Sequence, residues 1–296
     1  MFRLAHISDP HLSAVPKLGF VDLASKRLFG FYNWHRNRAH AFAPAVLSGL
    51  VADIHAAGPE HIAITGDLVN LGLESEFVAA AEWLRAVADA KHATLIPGNH
   101  DAYMPGSFAE FSKAWGDYMR GDDGKPGVVT FPFVRRRGPV ALVGVSSAVA
   151  TPPLMATGEV GASQAAALAV TLAALSKEGL FRVVLVHHSP IRGATSWYRR
   201  LVDARLFRRA LAESGAELVL HGHDHRTTVA SLPGRDGPVP VIGVAAASVL
   251  PHDGKPGGSY CLYSIETEGR FACAMVERGV RAPGGPVETL SERQLI

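Results

Sequence analysis

Five short polar motifs in this chain carry side chains that could do metal chemistry, and each follows an apolar run. They are Asp9-Pro10-His11, Gly66-Asp67, Gly98-Asn99-His100-Asp101, His187-His188 and Gly222-His223-Asp224-His225. Together they supply carboxylates, imidazoles and one amide, enough to hold two metal ions side by side. Two cations about 3.5 to 4 Å apart can clamp a phosphoryl group and lower the pKa of a shared water from about 15.7 toward roughly 7. The residue types therefore predict a hydroxide nucleophile near neutral pH.

Three of the motifs also allow ordinary structural roles when each is taken alone. Asp9 and His11 could belong to a turn with a surface histidine, and Asp67 after a glycine is a common turn or N-cap residue. Asn99 or Asp101 could cap a helix that begins near residue 107, although core packing gives no reason for an amide, an imidazole and a carboxylate in consecutive positions.

The histidines are harder to explain without a ligand. His221, His223 and His225 fall within five residues after an apolar strand. Buried imidazoles repel one another when protonated and lack partners when neutral, and a metal ion resolves both problems. His187-His188 would be ordinary as a lone pair but stands at another strand end. With no thiolate in the set, the ligands suit Mn, Fe, Zn or Co.

The elements that must position these motifs are short buried strands alternating with amphipathic helices. The predicted strands are 3–7, 61–65, 93–96, 140–145, 182–186, 217–220 and 239–244, with a hairpin of 259–265 and 271–277. The predicted helices are 42–57, 74–90, 107–119, 163–177 and 204–214. Strand ends in α/β sheets open into clefts where ligands bind, so we expect the five motifs to converge.

Composition narrows the function classes. The 296 residues are 48% hydrophobic, and we predict one α/β domain over residues 1–280. The net charge of +2 argues against general nucleic-acid binding by phosphate neutralisation. Only Cys261 and Cys273 are present, away from the motifs, so neither a disulfide framework nor a thiolate site is expected. No signal-like or membrane-spanning segment is visible, which predicts a cytoplasmic protein.

Two insertions and a tail depart from the regular alternation. Residues 12–41 and 189–203 leave from strand ends that carry motifs, so we expect them to form a cap over the cleft. Both are basic and aromatic, and their candidate membrane or substrate contacts are Phe31, Trp34, Arg36, Trp197 and Tyr198. Residues 281–296 are rich in Pro and Gly and then polar, which predicts a loosely held tail.

The order and spacing of the five motifs resemble the calcineurin-like metallophosphoesterase superfamily over residues 2–277. The resemblance implies a four-layer α-β-β-α sandwich, with two mixed β-sheets flanked by helices. It implies one metal ion held by Asp9, His11, Asp67 and His225, and a second held by Asp67, Asn99, His187 and His223. Asp67 would then bridge the pair.

The same resemblance implies roles beyond the metal ligands. His100 would face the substrate, where it stabilises developing charge or protonates the leaving oxygen, while Asp101 orients its ring. Asn70 matches a polar position of the family and would support the ligands. His188 and His221 would either support ligands or face the substrate. The implied reaction is in-line attack by a metal-bridging hydroxide on phosphorus.

Fewer features of the sequence bear on the substrate class. The turn His187-His188-Ser189-Pro190 is most similar to bacterial phosphodiesterases, which include cyclic-nucleotide and glycerophosphodiester hydrolases, so we expect a small phosphodiester. The basic, aromatic insertions could be a cap packed on the core with solvated arginines at its rim. They could also settle at an anionic membrane and admit a phospholipid head group or a lipid-linked diphosphate, which would place the protein at the inner membrane face.

Two further function classes stay open. A scaffold with this fold could bind partner proteins without catalysis. Such a scaffold is expected to have lost metal-ligating residues, and every expected metal-ligating residue is present here. A nuclease would want a long basic groove. Arg135-Arg136-Arg137 and the face of Arg205, Arg208 and Arg209 are the candidates for one.

Overall fold

Apolar segments form strands and helices in alternation along the chain. The structure is a computed structural model, and it describes residues 1–12, 19, 25–34 and 42–296. Its strands are β1 (Phe2–Ile7), β2 (His61–Ile64), β3 (Ala93–Leu95), β4 (Phe133–Arg137), β5 (Val140–Gly144), β6 (Phe181–Leu185), β7 (Leu218–His221), β8 (Thr228–Pro233), β9 (Pro238–Gly243), β10 (Ser259–Glu266), β11 (Ala272–Val280) and β12 (Val287–Gln294). Its helices are α1 (Arg27–Asn33), α2 (Pro44–Ala57), α3 (Glu74–Val87), α4 (Ser107–Trp115), α5 (Ala162–Lys177) and α6 (Ala204–Ser214), with a 3-10 helix over Gly116–Met119.

The strands form two mixed sheets. The order in the first is β12-β11-β10-β1-β2-β3, and in the second it is β4-β5-β6-β7-β9-β8. Strands β1, β2 and β3 of the first sheet are parallel, as are β5, β6, β7 and β9 of the second. In each sheet the carboxyl ends of these parallel strands therefore lie on the same side, and the polar motifs directly follow them.

Alternating residues of the second sheet face two different cores. Leu142 of β5 packs in the same core as Leu4 of β1, between the sheets. Its neighbour Val143 packs with Leu168 of α5 and Phe207 of α6. This period of two is expected where successive side chains of a strand point to opposite faces. Helices α2 and α3 pack on the first sheet, and the predicted four-layer sandwich is confirmed.

Most predicted elements are present, with shifted ends. Helix α2 begins at Pro44 rather than 42 and ends at Ala57 as predicted, followed by the cap Gly58, whose left-handed φ of 59° suits glycine. Helix α3 ends at Val87 rather than 90, because Ala88 is extended. Helix α4 ends at Trp115 and continues as the 3-10 helix. No helix in the described ranges is both long and apolar enough to cross a membrane.

Strands β4 and β8 were not predicted, and both lie at edges of the second sheet. Edge strands are partly exposed, so they lack a continuous apolar run. In β4, three arginines replace it. Arg135 is buried and donates to the carbonyls of Ala90 and Ala93, each at 2.6 Å.

The neighbouring arginines of β4 are also engaged by other residues. Arg136 pairs with Glu178 at 2.9 Å, and Arg137 pairs with Asp122 at 2.9 Å. These three arginines therefore do not provide the basic groove that a nuclease would need.

The C-terminal segment is a strand and not a loose tail. Strand β12 pairs antiparallel with β11, with Val287 opposite Val280. The prediction of a loosely held tail over 281–296 is therefore wrong for this stretch. Backbone hydrogen bonds hold the segment. Its polar side chains give no apolar strand pattern in the sequence, because a strand at a sheet edge needs little apolar surface.

Candidate metal centre

The carboxyl ends of parallel strands from both sheets bring the motifs together. Asp9 and His11 follow β1, Asp67 follows β2, Asn99 follows β3, His187 follows β6, and His223 and His225 follow β7. All seven are buried except His225, which is partly exposed.

The first group of ligand candidates consists of Asp9, His11, Asp67 and His225. Each offers one atom, and these atoms lie within 4.8 Å of one another. Nε2 of His225 is 3.2 Å from Oδ1 of Asp9. Nε2 of His11 is 3.9 Å from Oδ1 of Asp9 and 3.9 Å from Oδ2 of Asp67. This is the first metal set that the resemblance implied.

A second group lies on the other side of Asp67. Nε2 of His187 is 3.4 Å from Oδ2 of Asp67 and 3.2 Å from Oδ1 of Asn99. His187, His188 and His223 also offer ring nitrogens within 4.8 Å of one another. Asp67 therefore faces both groups, as a bridging ligand must.

The backbone at these positions is unusual. In the described part of the chain, seven non-glycine residues have positive φ, and five of them are Asp9, His11, Asp67, His223 and His225, with φ from 42° to 68°. Side chains other than glycine rarely adopt this region, and such strain concentrates at functional sites. Packing alone does not select it, so the concentration indicates that function keeps these conformations.

Two glycines let the carboxylates come close to the neighbouring backbone. A Cβ at Gly98 would collide with the carboxylate of Asp67, and a Cβ at Gly222 would collide with that of Asp9. Both glycines belong to the sequence motifs, so their role is to let one strand end approach another.

Backbone carbonyls fix which nitrogen of each neutral imidazole carries the lone pair. Nδ1 of His11 donates to the Val69 carbonyl at 3.2 Å, and Nδ1 of His187 donates to the Thr65 carbonyl at 2.5 Å. Nε2 of His223 donates to the Arg199 carbonyl at 2.8 Å. Since a carbonyl only accepts, the basic nitrogens are Nε2 of His11, Nε2 of His187 and Nδ1 of His223. Imidazole ligands of metal ions are commonly held in this way.

The resulting arrangement fits cations. Neutral His187 would point a basic nitrogen at two oxygens, those of Asp67 and Asn99, and only a cation or a proton between them removes that conflict. Although burial opposes it, Asp67 raises the pKa of His187 to about 10, so a proton takes this place when no cation does.

Asp9 shows the same need. Its Oδ1 is buried without a hydrogen-bond partner among the described residues. Burial would raise the pKa of Asp9, but His225 and His187 hold it below the ordinary range. A buried carboxylate oxygen among imidazoles is suited to a metal ion.

Comparison with known proteins agrees with this geometry. The sequence profile of the calcineurin-like phosphoesterase family matches residues 2–227. The chain belongs to this family. A comparison with curated protein sequences finds no match.

Solved structures support the fold of this phosphoesterase. A dimetal phosphatase from Danio rerio has a TM-score of 0.63 at 12% identity, with 98% of both chains covered. A purple acid phosphatase from yellow lupin has a TM-score of 0.59 at 10% identity, with 94% of this chain and 51% of that one covered. A 5′-nucleotidase precursor from Thermus thermophilus has 0.53 at 14%, with 95% and 55% covered. The chain spans about half the length of the last two.

Asp101 of the phosphoesterase does not orient His100, and that prediction is wrong. Its two oxygens accept backbone N–H groups from Asp67 at 2.8 Å, Leu68 at 2.9 Å, Val69 at 3.2 Å and Gly98 at 2.8 Å. Burial and then the charge of Asp67 raise the pKa of Asp101 to about 7, against the effect of these donors. Asp101 therefore fixes the loop that carries Asp67.

Glu76, which sequence reasoning missed, continues the same loop. Its carboxylate accepts the N–H groups of Asn70, Leu71 and Leu73, each at 3.0 Å. Glu76 is the third residue of α3, where an acidic side chain often reaches back to the helix start. The position of Glu76 in the first turn of the helix was therefore the sequence feature from which its role could have been predicted.

His100 stands beside the first group and is held by the loop backbone. Its Nδ1 donates to the carbonyl of Asn70 at 2.6 Å, so Nε2 carries the lone pair of the neutral ring. Its ring lies 5.0 Å from that of His11 and 5.9 Å from that of Tyr103. The Asn70 backbone thus does what we expected of Asp101, while the Asn70 side chain donates to the Leu12 carbonyl at 3.2 Å.

His188 and His221 support the ligands. Nδ1 of His188 is 2.7 Å from the hydroxyl of Ser147, and its Nε2 donates to the Ala156 carbonyl at 3.2 Å. Both nitrogens of His188 thereby have partners, whereas Nε2 of His187 and Nδ1 of His223 carry the lone pairs of their neutral rings. Nδ1 of His221 donates to the Gly222 carbonyl at 3.0 Å, next to His223.

Arg199 could not have been found by its residue type, because its carbonyl makes the contact with His223. Thr65 acts in the same way toward His187. Its hydroxyl also contacts Nε2 of His6 at 2.9 Å. These supporting residues depend on the fold and carry little sequence signal.

The cap residues are only partly brought to the centre. Phe31 of α1 packs with Leu71, Leu73 and Tyr103, next to His100. Trp34 is half-buried, whereas Trp197 and Tyr198 are 65% and 42% exposed. Arg36 lies outside the described residues.

Asp101→Asn tests the loop role. One carboxylate oxygen becomes an amide nitrogen, which leaves buried N–H donors without an acceptor. We expect the free energy of unfolding to fall by about 3 kcal/mol, as measured by urea denaturation. Asp123→Asn, at a 95% exposed side chain, is the control. Unchanged stability with a loss of turnover would instead restore the predicted role toward His100.

Proposed function

We propose that the protein hydrolyses phosphodiester bonds with two metal ions, Mn, Fe or Zn, bound at this centre. The first ion would be held by Asp9, His11, Asp67 and His225, and the second by Asp67, Asn99, His187 and His223. The observation that carries the proposal is the position of Asp67, whose Oδ2 faces imidazole nitrogens of both groups.

Such a pair, when bound, polarises phosphoryl oxygens and makes a bound water acidic enough to attack near neutral pH. The chain's own contribution is placement. Carbonyls of Val69, Thr65 and Arg199 hold the imidazoles, and the buried carboxylates of Asp101 and Glu76 hold the loop after β2. Placing reacting groups in advance removes orientational entropy from the barrier.

His100 is the residue proposed to act on the leaving group. Nδ1 donates to the Asn70 carbonyl, so the proton given to the departing alkoxide oxygen would be the Nε2 proton of the imidazolium form. The bond between phosphorus and that oxygen breaks as the oxygen takes the proton.

A diester is favoured over a monoester by the turn His187-His188-Ser189-Pro190, which resembles that of phosphodiesterases.

A substrate panel tests the preference. With Mn²⁺-loaded protein, we expect kcat/KM for bis-p-nitrophenyl phosphate to exceed that for p-nitrophenyl phosphate by at least about tenfold. Cyclic nucleotides and glycerophosphodiesters complete the panel, and elemental analysis of the purified chain reports the native metal. A preference for the monoester would overturn the diesterase part alone.

The second candidate is a hydrolase that works at a membrane surface on a phospholipid or a lipid-linked diphosphate. It is supported by aromatic side chains exposed on both cap segments: Phe29 at 53%, Tyr32 at 62% and Trp197 at 65%. Aromatic residues with Lys and Arg favour the interface of an anionic bilayer. In the panel, anionic phospholipid vesicles are the matching substrate. If the protein neither sediments with the vesicles nor hydrolyses their lipid, this candidate is removed.

A further inference from the structure

A cavity of about 440 Å³ lies between residues 189–202 and the start of α6. Four arginines line it: Arg192, Arg200, Arg205 and Arg208. We call it the arginine cavity. Its volume falls in the range of small-molecule sites.

The cationic groups of this cavity have no carboxylate partner in the part of the chain that the structure describes. Among the described residues, no carboxylate forms an ion pair with any of the four arginines. Arg208 donates to the Pro190 carbonyl at 2.9 Å. Asp203, on the same segment, uses its oxygens on the backbone N–H groups of Val160 and Gly161. The cavity therefore has a concentrated positive charge.

The spacing of two of the arginines adds to this charge. Arg205 and Arg208 stand three residues apart on α6, so they lie on one face, where like charges destabilise a helix. By contrast, Arg209 on the same helix pairs with Glu213 at 2.6 Å. The four arginines of the cavity have no such acidic partner within residues 1–12, 19, 25–34 and 42–296, and a bound anion would supply one.

The cavity adjoins the metal centre. Ser189, one of its lining residues, directly follows His188, and Arg199, whose carbonyl holds His223, directly precedes Arg200. Guanidinium groups bind phosphate through paired N–H donors. We propose that the arginine cavity binds a phosphate group other than the one that is hydrolysed.

Phosphate binding tests the proposal without requiring catalysis. We would titrate the full-length protein with inorganic phosphate at low salt, by calorimetry and by tryptophan fluorescence, since Trp197 also lines the cavity. In Arg200→Gln/Arg205→Gln we expect the affinity of this site to fall at least about tenfold. Arg209→Gln should leave it unchanged. Asp67→Asn, which lacks the bridging carboxylate, should retain it.

Two results would overturn the proposal. One is phosphate binding that is equal in wild type and in the arginine double variant. The other is loss of all phosphate binding in folded Asp67→Asn. If the double variant does not fold, Arg192→Gln, outside α6, makes the same test. Absence of hydrolysis by the metal-loaded protein would count against the proposed function and leave this binding result intact.

Kinetics identify the source of the phosphate. If it belongs to the substrate, the double variant raises KM for ADP-ribose, which carries a second phosphate, but not for bis-p-nitrophenyl phosphate. If it is free phosphate, the double variant changes the response of both substrates to added phosphate. Either result supports the site. If the double variant alters neither the KM for ADP-ribose nor the response to added phosphate, the proposal is overturned.

Discussion

Asp67→Asn is expected to remove both metal ions and to abolish hydrolysis. Oδ2 of Asp67 faces Nε2 of His187 at 3.4 Å and Nε2 of His11 at 3.9 Å, so one charge serves both groups. An amide keeps the shape but provides no charge to hold two cations. Loss of their charge stabilisation, worth several kcal/mol, should lower kcat/KM by a factor on the order of 1000 or more. Elemental analysis and the bis-p-nitrophenyl phosphate assay measure the two effects.

The substitution leaves local structure in place. Oδ1 of Asp67 accepts the N–H of His100 at 2.7 Å, and an asparagine oxygen can accept it too. The matched comparison is Asp9→Asn, because Asp9 belongs only to the first group, and that variant should retain the second ion. Both ions remaining in Asp67→Asn would show that Asp67 is not shared between them.

The ligands could be found from the sequence because each follows an apolar strand. Strand burial is visible as a run of apolar residues, and parallel strands must end together, so the motifs had to meet. The same reasoning missed β4 and β12, since edge strands need no apolar run. Arg135, for example, is buried in β4 and satisfied by carbonyl groups.

Roles that depend on backbone atoms were the hardest to predict from the sequence. Asp101 lies next to His100 in sequence, which suggested a side-chain pair, yet its partners are three N–H groups of the loop after β2 and the N–H of Gly98. The carbonyls of Thr65 and Arg199 fix imidazoles, although neither residue type indicates it. Such contacts depend on where the chain folds back, and no residue pattern encodes that.

His100→Ala is expected to leave the metal content nearly unchanged and to lower turnover by a factor on the order of 100. Nδ1 of His100 is held by the Asn70 carbonyl, so the ring offers only Nε2 to the substrate. Its ring lies 5.0 Å from that of His11, and His100 is outside the group of ligand candidates formed by Asp9, His11, Asp67 and His225. His92→Ala, an exposed histidine paired with Asp89, is the control. Loss of metal in His100→Ala would refute this role.

The leaving group distinguishes the two ways in which His100 could act. A nitrophenolate leaves without a proton, whereas the alkoxide of a glycerophosphodiester needs one. If His100 is the acid, His100→Ala should slow the glycerophosphodiester by the full factor and bis-p-nitrophenyl phosphate far less. If it stabilises charge on the phosphoryl oxygens, both substrates should slow equally. We expect the first result, because Nδ1 is held by the Asn70 carbonyl, so the imidazolium form would give its Nε2 proton to the leaving oxygen and return to the neutral tautomer protonated at Nδ1.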